Sequence, residues 1–345
     1  MGSSKATAVA FTFFSRREDP AAAPTIRRGA AMSLAAARAQ TAPPLPPLSG
    51  EGPYPGAALK SWVDRPFWLP PQDPRLEPLF HGEPAPSPPL DNLVGAHFAW
   101  QDHPEYMAYL DPASPNHHAK LVERALYLRR WAPFLPRRPL RALDVGAGIG
   151  RFSTWLLEQG HDVVMVDPDL RSLWRAVWSA ASLPGRIDAW WSTAESMPPL
   201  GTFDVVFAPE MLCYAEDPER ALGKVAEALA PGGLLFASVE ARWGWVFCQD
   251  TPPATVDAWL DDGVVHVPGD RWVRTFERAD FESLLLRYFD IEEMIPSHYG
   301  YSGAFEAAAG PLDEAAALRL EDRMRAHPRG RELNRAWLAA ARRRA

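Results

Sequence analysis

The sequence predicts a doubly wound α/β fold, a mostly parallel sheet covered by helices on both faces. Three observations carry this reading. From about residue 136, short and nearly continuous apolar runs alternate with amphipathic stretches, the pattern of parallel strands buried on both sides and joined by helices. The first run leads into a glycine-rich loop, "ALDVGAGIGRFS" (residues 142–153), that opens a helix. The second run ends on an acidic residue, Asp167.

Residues 1–50 read as disordered or as a targeting segment. "AVAFTFF" faintly resembles a signal-peptide core and the Arg- and Ala-rich stretch after it a transit peptide, while Met32 is an alternative start. Residues 51–135 read as a proline-rich arm followed by a helical cap. Proline supplies 36 residues, concentrated in stretches such as "TAPPLPPLSGEGPYPG" and "EPAPSPPL", which exclude regular helices and central strands. "PPLPP" suits a partner's aromatic groove in the polyproline II form, against the simpler reading of a linker or wrapping arm. In "HHAKLVERALYLRRWAPFL", Leu121, Ala125, Leu128 and Trp131 fall on one helical side.

Residues 136–300 alternate as a doubly wound sheet requires. Strand "RALDV" and the glycine loop precede helix "RFSTWLLEQG", strand "DVVMVD" and helix "LRSLWRAVWSAA", in which Leu170, Leu173, Trp174, Val177 and Trp178 make a core stripe. Strands "IDAWWS" and "FDVVFAP", helix "DPERALGKVAEALAPGG" and strand "LLFASVE" follow. Residues 301–345 read as a helical C-terminal extension interrupted near Pro328, its Arg-rich end favoured by the helix dipole.

Composition narrows the partners. A formal charge of -7 argues against nucleic acid or an anionic membrane and favours a small-molecule or peptide substrate. Cys213 and Cys248 are too few for a disulfide framework or a zinc site, which makes a reducing cytoplasm the default compartment. No run approaches the roughly 18 to 20 apolar residues of a membrane span. The oligomeric state is left open, with a homodimer among the options.

In such a sheet, ligands bind beyond the carboxyl ends of the strands where strand order reverses. The loop "GAGIGR" spaces its glycines as G-x-G-x-G, with Arg151 where the dinucleotide fingerprint has its third glycine, so a pyrophosphate-binding reading loses ground. Asp167 can accept both hydroxyls of a ribose or can cap the following helix, and Asp169 can supply that cap instead.

"LDVGAGIGRFS", Asp167, "FDVVFAPEMLCYAEDPERAL" and "LAPGGLLFASVE" together resemble the class I S-adenosylmethionine-dependent methyltransferases over roughly residues 120–295. The resemblance implies a seven-stranded Rossmann-like sheet and S-adenosylmethionine as cofactor. It assigns Asp144, Gly146 and Gly148 to the methionine end, with Ala147 and Gly150 also cofactor-binding, Asp167 to the ribose and Pro168 to the adenine. Where the family often has Gly-Asp-Ala after strand three, "STAESMPPL" offers Thr193, Ala194 and Glu195 toward the adenine. After strand four, Glu210 matches the family's acidic position and Tyr214 stands where many members have histidine. Candidate proton acceptors are His118 (or its neighbour His117), His266 and His298, with Tyr214 on the substrate side. Metal binding by His97, His103, His117 and His118 lacks supporting carboxylate spacing, so no metal is expected. Trp243 and Trp245, just after strand five, suit either a substrate wall or packing.

The function expected is methyl transfer by in-line displacement. Two rivals are a catalytically silent methyltransferase-like partner subunit, which the altered third-strand loop keeps open, and a nicotinamide-dependent oxidoreductase, which the glycine spacing disfavours.

Overall fold

The computed structural model describes residues 80–81, 117–244, 260, 263–266, 272–299 and 314–344. The proline-rich stretches, residues 1–50, His97, His103, Trp245 and Cys248 lie outside the described residues.

The central sheet pairs in the order β1 (Phe80–His81), β4 (Ile187–Trp191), β3 (Asp162–Asp167), β2 (Arg141–Val145), β5 (Phe203–Pro209), β6 (Leu229–Glu240), β10 (Ala336–Arg343), β9 (Phe289–Ser297). Strands β1 to β6 run parallel, and β10 lies antiparallel to both of its neighbours. The seven long strands thus form the expected doubly wound sheet, with the two-residue β1 added at one edge. A separate antiparallel pair joins β7 (Val264–His266) to β8 (Trp272–Arg274).

Strand order reverses between β2 and β5. The carboxyl ends of all parallel strands, and of β9, which runs parallel to β6 across β10, therefore share one edge of the sheet. The helices α1 (His117–Trp131), α2 (Ser153–Glu158), α3 (Leu170–Ala180), α4 (Pro218–Ala228), α5 (Arg278–Leu285) and α6 (Glu314–Ala326) cover the faces or flank that edge. Helix α4 starts where local chemistry says it should. The Asp217 side chain accepts the Arg220 N–H at 3.0 Å and Pro218 occupies the first turn, where its missing donor costs nothing.

Two apolar layers sandwich the sheet. One gathers Leu143, Val145, Val206, Leu222, Phe281 and Phe289. The other is aromatic, with Trp131 stacked 5.5 Å from Phe236 and packed 4.8 to 5.8 Å from Tyr127, Phe152 and Phe207. From the α3 stripe, Leu173 and Val177 are fully buried.

Two expectations need correction. The buried face of α1 is Val122, Leu126, Tyr127 and Trp131, about one residue round from the stripe read in the sequence, and Leu121, Ala125 and Leu128 are only half-buried. The two large rings at i and i+4 decide the rotation, because only that face can enter the aromatic layer.

The second concerns the C-terminal extension. Its first part is helical, as expected, in α6. Residues 336–343, expected as an Arg-tipped helix, are instead strand β10, so the sheet does not end at residue 300. Alanine favours helix by propensity, but a strand here satisfies backbone groups on two flanking edges at once, and its small side chains fit a layer covered on both sides. The arginines serve the neighbouring strand, Arg342 donating to Glu292 at 2.8 Å and Arg344 to Asp290 at 2.9 Å. Pro296, paired with Trp337, is tolerated because β9 is an edge strand.

Trp131 is 1% exposed, and its indole N–H has no hydrogen-bond partner among the described residues. Trp131→Ala is expected to cost about 3 to 5 kcal/mol and Trp131→Phe less than about half of that. Urea unfolding of the two variants checks this, and equal losses would show that ring volume is not what the position contributes.

Candidate functional site

The site begins where β2 ends. Gly146, Gly148 and Gly150 hold φ of 72°, 54° and 85°, a left-handed conformation that glycine enters without strain. A Cβ on Gly146 would lie 3.0 Å from Met211 Cβ, and one on Gly150 3.1 Å from Ala176 Cβ. The first and third glycines therefore let the loop press against the turn after β5 and against α3.

Backbone donors lace this loop to the end of β3. The N–H groups of Gly146 and Ala147 donate to the Val166 carbonyl at 2.8 and 3.1 Å, and that of Gly148 donates to Asp167 Oδ2 at 2.8 Å. Asp167 Oδ1 accepts the Asp169 N–H at 2.8 Å. Asp169 itself takes the start of α3, accepting the Ser172 hydroxyl at 2.7 Å through its side chain and the Leu173 N–H at 3.1 Å through its carbonyl. Asp169 thus does the capping, and Asp167 stays at the strand end.

Asp144 accepts the Ser153 hydroxyl at 2.6 Å through Oδ2, while its buried Oδ1 has no partner among the described residues. Burial pushes the Asp144 carboxyl up to about 6, with the Ser153 bond pulling back. Burial and then the Asp169 charge push Asp167 up to about 7 against the pull of its two backbone donors.

The candidate adenine contacts lie at the end of β4. Thr193 Oγ1 accepts the Ser196 N–H at 3.1 Å, and Ala194 is buried. Glu195 Oε1 accepts the N–H groups of Glu216 and Asp217 at 2.9 and 3.3 Å, which fastens this loop to the start of α4. The Pro168 carbonyl accepts the Trp191 indole N–H at 2.8 Å.

A second group of polar residues assembles at the carboxyl end of β5, under α1. Glu210 is left-handed at φ 58°, held by its N–H donating to both the carbonyl and the hydroxyl of Ser238 at 3.0 Å. Its Oε1 accepts the Tyr127 hydroxyl at 2.5 Å and Arg151 Nη2 at 3.5 Å, and Ser238 Oγ donates to the Tyr127 oxygen at 3.3 Å. Arg151 Nη1 donates to Glu123 Oε1 at 2.9 Å, with the guanidinium 5.3 Å from the Tyr127 ring and 4.9 Å from that of Phe152. Lys120 donates to the other Glu123 oxygen at 2.9 Å.

Burial acts on Glu123, Glu210 and Tyr127. Glu123 ends well below the usual carboxylate range, because Lys120 and Arg151 outweigh its desolvation. Glu210 is lowered by Arg151 in the same way, and Tyr127 is raised well above its ordinary value by burial and by Glu210, so it donates as a neutral phenol.

His298, at φ 67° just past β9, places its ring 4.5 Å from that of Tyr127. Burial pushes it down to about 4 despite the carboxylates of Glu123 and Glu210, so the ring is neutral near pH 7. Among the candidate proton acceptors whose side chains are described, His298 is brought to this group. The side chains of His117, His118 and His266 lie outside the described residues. Tyr214 is half-buried against the apolar layer of β5 and α4, and Trp243 is 45% exposed. Sequence reasoning missed Tyr127, Glu123, Lys120 and Ser238 as site residues, and met Arg151 only as the residue that is not a glycine.

Comparison with known proteins now bears on this geometry. The family profile described as "Methyltransferase domain" matches residues 116–289, half of the chain. An uncharacterised methyltransferase of Mycobacterium tuberculosis is 38% identical over 118 residues, 32% of this chain and 46% of that protein. A ubiquinone biosynthesis O-methyltransferase of Azorhizobium caulinodans is 35% identical over 150 residues, 43% of this chain and 57% of that protein. The chain thus spans about half the length of the curated relatives it matches. Among solved structures, an N-methyltransferase of Bradyrhizobium japonicum in complex with S-adenosyl-L-homocysteine covers 73% of this chain and 99% of its own, with 16% identity and a TM-score of 0.45.

The four carboxylates give stability two opposing pH dependences. Asp144 and Asp167 are raised in the folded state, so between about pH 4 and 7 the unfolded chain binds fewer protons and stability falls as pH rises, by roughly 3 to 4 kcal/mol for Asp167 alone. Glu123 and Glu210 are lowered, so their contribution is present above about pH 4.5 and is lost as pH falls below it. Asp167→Asn should therefore gain on the wild type as pH is raised from 4 to 7.5. Urea titrations at four pH values check this, and a gap independent of pH would refute the raised carboxyl.

Proposed function

Because the chain belongs to the methyltransferase-domain family, matched over half its length, we propose that it moves a methyl group from S-adenosylmethionine to a small-molecule or peptide acceptor. The observation that carries this reading is the pair of buried carboxyls at the strand-order reversal. Asp167 ends β3 against the Gly148 N–H, and Asp144, one residue before the end of β2, has one oxygen unpartnered among the described residues. A desolvated carboxyl with an open lone pair suits a cationic amine, and a carboxylate at a second-strand end suits ribose hydroxyls.

When bound, S-adenosylmethionine supplies an electrophilic methyl on a sulfonium. The protein's part is to orient and to exclude water, since an in-line displacement needs alignment more than it needs chemistry from side chains. Asp144 and the glycine loop hold the amino acid end, Asp167 the ribose, and Pro168, Thr193 and Ala194 border the adenine. Glu195 is spent on α4 and is the weakest of the three loop candidates.

Relatives named as ubiquinone biosynthesis O-methyltransferases favour an oxygen acceptor. A hydroxyl must lose its proton as the new bond forms. A ring nitrogen of His298, unprotonated at working pH, is the group placed to receive it, and the charges of Glu123 and Glu210 partly offset the burial that makes it a weak base.

Calorimetric titration with S-adenosylmethionine, S-adenosylhomocysteine and NAD tests the reading. Both adenosyl ligands should bind, and Asp167→Ala should weaken them by about tenfold to a hundredfold. Because Asp167 must ionise to accept two hydroxyls, affinity should fall by roughly tenfold per pH unit below about 7. Binding of NAD alone would replace this function with the oxidoreductase. Cofactor binding without methyl transfer to any acceptor would favour the silent subunit.

A further inference from the structure

Helix α6 reaches the site through one carboxylate. Glu321 is 1% exposed, on a helix whose other polar residues mostly face solvent. Its Oε2 accepts the His298 N–H at 3.0 Å and the Ser297 hydroxyl at 3.2 Å, and its Oε1 accepts the Tyr299 N–H at 2.7 Å. Arg325, one turn along α6, lies 3.8 Å from Oε2. Burying a carboxylate is costly unless its lone pairs are filled, and here two successive backbone donors help to fill them.

Those donors sit where β9 ends and the chain turns left-handed at His298. A non-glycine residue persists in that conformation only where its surroundings over-determine it. Glu321 grips both N–H groups of the turn from one side while Tyr127 meets the His298 ring from the other.

We propose that Glu321 is a positioning residue, which holds the His298–Tyr299 backbone so that the imidazole of His298 stays on Tyr127 at the acceptor side of the site. The role of the imidazole rests on the transferase reading above. The grip itself rests on geometry alone.

Burial acts most strongly on the ring, and the charged groups acting on it include Glu123 from α1, Glu210 after β5, Arg151 after the glycine loop and Arg335 ahead of β10. Loss of the Glu321 charge by itself would lower the ring's titration, so a rise in a Glu321 variant reports that the ring has left its buried position. In protein labelled at histidine, with the His298 signal assigned by its loss in His298→Asn, the wild-type ring should stay neutral down to about pH 4. In Glu321→Ala it should titrate about one unit or more higher, toward the ordinary 6.5, with S-adenosylhomocysteine affinity changed by less than about twofold.

Once an acceptor is known, kcat should fall by about tenfold or more while KM for the methyl donor moves by less than about threefold. Glu321→Gln, which preserves shape and one acceptor oxygen, should fall between the two, and it carries the same test where the alanine variant does not fold. A folded Glu321 variant whose His298 titrates as in the wild type overturns the proposal. Failure of the transferase reading shows up separately, as absence of S-adenosylhomocysteine binding by the wild type.

Discussion

Everything at the carboxyl edge of the sheet depends on how Arg151 is buried. It follows the last glycine of the loop, and its guanidinium joins Glu123 on α1 to Glu210 at the end of β5 while lying over Tyr127 and Phe152. A partly buried ion pair of this kind adds little net stability over an apolar substitute, yet removing one partner strands the others at a cost between the roughly 1 kcal/mol of an exposed pair and the roughly 3 to 5 kcal/mol of a fully buried one. Its contribution is therefore to register. Helix α1 can settle on the sheet in one position, the one in which both carboxylates reach the same cation.

That register divides the acidic residues into two kinds. Glu123 and Glu210 sit against cations and stay ionised despite burial. Asp144 and Asp167 are buried with hydroxyl and amide donors but, among the described residues, no cation bonded to either, and both are raised toward neutrality. Carboxyls held in the second way are poised for a ligand that brings its own positive charge or hydroxyls, because the ligand supplies the compensation that the fold withholds. Those in the first way lie near the His298 ring, where their charges partly offset the burial that keeps it neutral.

The legible part of this arrangement was local. Continuous apolar strands, glycines at alternate positions and an acidic strand end are dictated by residues adjacent in sequence, so β2, β3, the loop and Asp167 follow from pattern. What escaped reading was set by contacts distant along the chain. The "WLAAARRR" segment has a helical composition, and only the open edges of β6 and β9 make it a strand. Tyr127 looks like one more apolar residue until Glu210, 83 positions away, accepts its hydroxyl. Glu321 has no motif at all, since its meaning is two N–H groups 22 and 23 positions upstream.

Strain joins these observations. Among the described residues, Glu210 and His298 are the two non-glycine positions with positive φ, and each conformation costs on the order of 1 to 3 kcal/mol. They stand at the ends of β5 and β9, on the same edge of the sheet. Each has its N–H fixed by a buried acceptor, Ser238 for one and Glu321 for the other. Both side chains converge on Tyr127, one through its hydroxyl and one through its ring. An ordinary exit from either strand would relax the backbone and direct its side chain elsewhere. The fold bears the strain at both places because Tyr127, locked on α1 by its aromatic neighbours, can then be met from two directions. Its neutral hydroxyl passes the position of Glu210 on to the wall that carries His298.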